Sequence, residues 1–241
     1  MTTKLKGFIV FAIVAAAICV RLGIWQLRRL DERRARNAAV SARLNAPPID
    51  ARELPRDTAQ ARFRRVRVAG TPDYEHELVH VQRSLQGSIG VNLLTPVRIP
   101  GSDTAIIVNR GWVYSADGST VDHSRWRDRD SSFVGYAVEF PSTGGTTYMN
   151  RPAQLSRLSY DVVSKALPYP VSPTYVIALD EGDDTTSAAN RIARLPAPAL
   201  DDGPHFSYAI QWFGFATVAL VGAAVVVRQS RRHASKGQGD V

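Results

Sequence analysis

The chain has 241 residues and a single cysteine, Cys19, which excludes an intrachain disulfide, a CxxC metal site and a thiol redox pair. Its formal charge is +8, but much of the excess flanks apolar segments, which argues against nucleic acid as the partner. The length suffices for two membrane helices and one modest extramembrane domain.

The first apolar segment runs from Gly7 to about Leu27, with Arg21 interrupting it. Lys4 and Lys6 could open a signal peptide, but no small-x-small cleavage site follows, so a retained anchor is the better reading. Arg28, Arg29, Arg33, Arg34 and Arg36 crowd the exit, where anionic lipid headgroups are the simplest partner. The Arg/Ala/Leu-rich stretch 27–44 lacks Gly and Pro, so the helix should continue out of the membrane until Pro47-Pro48.

Strand signals follow. Phe63–Val68 alternates apolar and charged residues, and Gly70–Asp73 reads as a turn. His76-Glu77-Leu78-Val79-His80 fits the HExxH pattern of zinc proteases, which requires a helix to bring both histidines to one metal. Val79 and Val81 alternating with His80 and Gln82 favour a strand instead. There the histidines would lie roughly 13 Å apart and could not share a zinc. Ile89–Ile99 predicts a strand bent or ended near Pro96, and Ala105–Val108 a buried strand leading into Asn109-Arg110-Gly111-Trp112-Val113. Arg110 and Trp112 could dock a partner; the structural alternative makes Trp112 core and Arg110 an internal donor. Phe133–Phe140 and Thr174–Leu179 add two strands, and Gln154–Leu167 carries helical spacing. Gly144-Gly145 reads as a turn and the acidic run 180–184 as a solvated loop. GxSxG and Gly-rich phosphate loops are absent from the sequence.

The second apolar segment, 206–227, is long enough to cross a bilayer. Arg228, Arg231, Arg232 and Lys236 follow it directly, which places a basic tail, 228–241, in the cytoplasm by the positive-inside rule. Two spans then put both termini there and residues 28–204 outside. The absence of a long Arg/Ser-rich presequence favours a bacterial inner membrane. The expected fold class is an α+β membrane protein. Its two transmembrane helices (7–27 and 206–227) flank a mainly antiparallel β domain, a small barrel or sheet with one packed helix.

His205 stands at the entrance of the second span, and a polar residue there marks a candidate site. At about 100° per residue, His205, Tyr208, Gln211, Trp212 and Phe215 fall within one arc, which Ala219 and Gly222 continue. An aromatic belt explains such a stripe; so does a ligand face, with His205 as an axial ligand to haem iron. On the first helix Arg21 and Trp25 share a face, and Arg21 or Arg28 could pair a haem propionate.

Three motifs occur in order: Leu22-Gly23-Ile24-Trp25-Gln26-Leu27 with Arg29-Leu30, Val108–Val113, and Gly203–Phe213. Together with two spans they resemble the surfeit locus family of cytochrome c oxidase assembly factors. The resemblance implies a non-enzymatic factor that matures the haem-bearing catalytic subunit of the oxidase. It implies transient binding of haem A at His205, and a possible encounter with haem A synthase. It also makes the HExxH match a coincidence. Arg21 and Asp31 depart from the expected pattern. The other readings are a scaffold that binds no haem and a membrane-anchored zinc protease.

Overall fold

The computed structural model describes residues 3–127, 131–141, 153–180 and 192–236. Two compact units emerge: residues 1–39 with 200–241, and residues 40–199. Residues 28–39 and 200–204, read from sequence with the outward domain, group in space with the two long helices.

The first unit is built from α1 (Thr3–Asn45), whose residues from Val40 on fall in the second unit, and α4 (His205–Lys236), both long and apolar enough to cross a membrane. α1 continues unbroken to Asn45, as its composition predicts, and Pro47-Pro48 follow directly. The covered positions of α1 recur at alternating steps of four and three: Leu5, Ile9, Ala12, Ala16, Cys19, Gly23, Gln26, Leu30. On α4 they are His205, Ala209, Trp212, Ala216, Ala219 and Ala223. This is the seven-residue repeat of a left-handed helix pair. Small residues occupy its tightest points, with Ala12, Ala16, Ala209, Ala216 and Ala223 all buried. A Cβ on Gly23 would stand 2.7 Å from the Phe213 ring, so a side chain there would force the ring or the helix aside. The expected continuation of the stripe through Ala219 and Gly222 is corrected at Gly222. Ala219 is only half-buried, and Gly222 is exposed and faces open space, because the seam follows a 3.5-residue rather than a 3.6-residue period.

The second unit is an open sheet of β1 (Ile49–Asp50), β2 (Arg65–Ala69), β3 (Thr71–Pro72), β4 (Leu78–Leu85), β5 (Ser88–Arg98), β6 (Ala105–Tyr114), β7 (Ser132–Glu139), β8 (Gln154–Leu155) and β9 (Thr174–Ala178). The order is β1-β2-β7-β9-β6-β5-β4-β8, with β3 also on β5. The pairs are mainly antiparallel; β1–β2, β4–β8 and β6–β9 are parallel. The sheet does not close into a barrel. Short helices α2 (Thr58–Ala61) and α3 (Tyr160–Ala166) accompany it.

β6 lies in mid-sheet and is apolar on both faces over Ala105–Val108, which is why that run does not alternate. One face packs Val66, Val68, Val97, Val108, Phe133 and Val176. Another cluster gathers Leu94, Ile107, Leu155, Leu158 and Val163 of α3.

The expectations for 154–167 and for 70–73 need correction, and of the two readings at Pro96 the ended strand is excluded. The helix expected over 154–167 is confined to Tyr160–Ala166. Gln154–Leu155 instead add a parallel edge strand to β4, so Leu155 and Leu158 are buried without belonging to a helix. β5 passes through Pro96 without ending. Pro96 falls where the neighbour on one side changes from β4 to β3, so no ladder on that side needs its missing N–H. Thr71–Pro72, read as part of a turn, supply that short β3. Gly144-Gly145 and residues 181–184 lie outside the described residues.

Candidate functional site

His205 opens α4, where Pro204 precedes it and Gly203, at φ +67°, turns the chain in. Its Nδ1 lies 2.9 Å from Oε1 of Gln26 on α1. An amide oxygen only accepts, so Nδ1 carries the hydrogen. A neutral ring then keeps its lone pair on Nε2, the arrangement in which histidines ligate metals with the other nitrogen anchored. Gln26 is buried in the seam, and one turn away Gly23 packs on Phe213. The approach ahead of α4 is clamped as well. Arg33 reaches Asp201 (2.6 Å), Arg34 reaches Asp202 (2.9 Å), and Asn37 donates to the Asp201 carbonyl (2.8 Å). Arg29 pairs with Glu32 at 2.7 Å. Of the arginines at the exit of α1, Arg29, Arg33 and Arg34 are therefore each matched by a carboxylate.

The expected stripe divides. His205 and Trp212 lie on the seam, while Tyr208, Gln211 and Phe215 are exposed, Phe215 edge-on to Trp212 at 5.9 Å. Arg21 and Trp25 sit elsewhere. With Arg28, Ile13, Ala17 and Leu220 they line a groove of about 870 Å³ along α1. His205 does not line it, so the structure does not bring Arg21 and Trp25 to the histidine.

In the sheet unit the HExxH residues separate. His76 lies in the loop before β4, its Nδ1 on Asp73 (2.8 Å), and Tyr169 donates to the same carboxylate (2.7 Å). His80 is buried on β4, where desolvation and the nearby Arg83 charge push its pKa down to about 4, against a hydrogen bond to the Ser156 backbone. A strand cannot converge the two histidines, and among the described residues no metal-ligating cluster forms.

Glu77 has a different role. Its Oε1 accepts from Arg110 Nη2 and from Thr95 Oγ1, each at 2.5 Å, and its Oε2 accepts from His123 Nδ1 at 2.7 Å. Burial pushes the Glu77 carboxyl up, but the His123 hydrogen bond, the Arg110 charge and the remaining donors outweigh it and hold the group below its ordinary value. Arg110 also donates to Thr95 Oγ1 (2.7 Å) and to the Trp126 carbonyl, and its own carbonyl accepts from Arg194. It has no exposed surface, so the expected docking role is corrected: Arg110 is an internal clamp that ties β6 to the loops around residues 77, 123–126 and 194. Trp112 is half-buried; its Nε1 donates to the Arg83 carbonyl (3.0 Å) and its ring closes over Gly90.

A family model described as the SURF1 family matches residues 13–217. The chain belongs to the SURF1 family. That family is generally linked to cytochrome c oxidase assembly. A SURF1-like protein of Rickettsia felis is 28% identical over 245 residues, covering 95% of this chain and 98% of its own length. One of Monosiga brevicollis is 24% identical over 237 residues, covering 90% and 87%. An uncharacterized SURF1-like protein of Mycobacterium tuberculosis is 24% identical over 250 residues, covering 94% and 87%. The SURF1 match takes in Gln26, the Glu77–Arg110 clamp and His205, and stops short of the arginines beyond Val227. Sequence reading missed Gln26 and Glu77 as partners. Gln26 carried a faint signal, an uncharged polar residue between Trp25 and Leu27 at the end of an apolar run, but its partner is far away in the chain.

Proposed function

We propose that this chain is an assembly factor for haem-copper cytochrome c oxidase that holds haem A and passes it to the catalytic subunit. His205 Nε2 is its iron ligand. One observation carries the reading: His205 Nδ1 lies 2.9 Å from Gln26 Oε1, a contact in which Nδ1 donates and a neutral ring keeps its lone pair on Nε2. The donor set fits a haem. Imidazole is a standard axial ligand, and the exposed rings of Tyr208 and Phe215 on the same stretch of α4 offer flat apolar contact. Trp212 and Gln211 belong to that stretch, whereas Arg21 and Trp25 would contact haem only from a separate groove. Family membership supports a role in oxidase assembly; haem A synthase is the proposed donor. The paired spans support termini on one side of the membrane, since the start of α1 and the end of α4 line one groove; the basic residues after Val227 support the cytoplasmic side of a bacterial inner membrane.

The test is co-expression with a haem A synthase, purification and an absorption spectrum. Wild type should carry haem A, and His205→Ala should lose it. Gln26→Leu should keep the histidine but bind about 10–100-fold more weakly, as loss of an anchoring partner does. Full haem occupancy in His205→Ala would overturn the ligand assignment. A haem-free wild type that still supports oxidase assembly would favour the scaffold.

A further inference from the structure

The two arginine clusters of the helical pair are not alike. At the exit of α1, Arg29, Arg33 and Arg34 each meet a carboxylate. At the far end of α4, Arg228, Arg231 and Arg232 are exposed, and among the described residues no acidic group pairs with them. Steps of three and four put all three on one side of the helix. They form the basic rim of a groove of about 1000 Å³ between α1 and α4, whose remaining walls are apolar: Ile9, Ile13, Ala223, Ala224 and Val227. From Ala223 to Arg232 the groove follows α4 for roughly 13 Å. Its apolar walls therefore run from the charged rim toward the bilayer interior.

We propose that this groove is a binding site for an anionic glycerophospholipid of the phosphatidylglycerol type. The phosphate sits on the arginine rim, and one acyl chain lies along Ile9, Ile13 and Ala224. Charge complementarity selects the headgroup, because guanidinium groups suit phosphate oxygens and these three meet no carboxylate among the described residues. The apolar walls select a lipid over a soluble anion, which would leave them without a partner of their own polarity. A bound lipid would hold the basic ends of α1 and α4 together where the seam gives way to the tail.

The full chain in non-ionic detergent tests this by native mass spectrometry with added phosphatidylglycerol or phosphatidylcholine of matched chains. Phosphatidylglycerol should be retained about tenfold more, given the attraction each arginine supplies. Replacing Arg228, Arg231 and Arg232 together by Gln should abolish that preference, and by Lys should keep part of it. Ala224→Trp leaves the arginines intact and fills the groove, so it should weaken lipid retention several-fold. Millimolar inorganic phosphate should not displace the lipid. Equal retention of the two lipids overturns the proposal, as does a phosphatidylglycerol excess that survives the triple Gln variant. Displacement by phosphate, or full retention in Ala224→Trp, would leave only an anion site. If the triple Gln variant does not fold, Ala224→Trp and the phosphate competition decide the outcome.

Discussion

Glu77 and Arg110 are both buried, and each is the other's counter-ion. Removing one charge strands the other in a poorly solvated place. Glu77→Gln should therefore cost about 3–5 kcal/mol, measured by thermal or denaturant unfolding. A cost near zero would show that the clamp is replaceable by neutral hydrogen bonds. His80 supplies a pH dependence. Its folded pKa of about 4 lies below the unfolded value of 6.5, so the unfolded chain binds the proton first. Stability is full above pH 6.5 and falls on acidification until about pH 4, by roughly 3 kcal/mol. His80→Gln should flatten that slope. Glu77, also depressed, contributes above its ordinary value of 4.5 and loses that contribution as pH falls through its folded pKa, so its loss lies at more acidic pH. The two windows can be separated by comparing the single variants across pH. The residue types were visible in the chain, but the pairing of Glu77 with Arg110 was not, because 33 residues separate them.

At the scale of elements, the long helices were legible. An uninterrupted apolar run, helix-forming residues after it and a Pro-Pro stop dictate α1 locally. The face on which α1 and α4 meet was not legible, because small residues surround both helices and only the partner decides which ones are covered. Gly23 shows the difference. Gly23→Leu should push the ring of Phe213 aside and lower stability in detergent by about 1–3 kcal/mol, with Phe213→Ala recovering part of the loss. Gly222→Leu, facing open space, should cost far less. Similar losses at both positions would contradict the seam. Strand alternation marked β2 and apolar runs marked β6, yet Gln154–Leu155 looked helical because burial on an edge strand can mimic helical spacing over a few residues.

At the scale of the molecule, residues 40–199 carry buried cores on their own sheet, which predicts an independently folding domain. A fragment spanning 40–199, without the apolar helices, should show a β-type circular dichroism spectrum and a cooperative thermal transition. A fragment that unfolds gradually would mean that the helical pair is needed for the sheet to form.

The sequence by itself determined the two apolar helices, the β-rich domain between them, the family through its three ordered motifs, and His205 as the residue to watch. Each of these depends on local composition or short-range order. Tertiary structure alone decided the open sheet order, the burial of Arg110 against Glu77, and the contact between Gln26 and His205. Those outcomes rest on which distant residues are brought within hydrogen-bonding or van der Waals distance, and short-range spacing along the chain does not encode that.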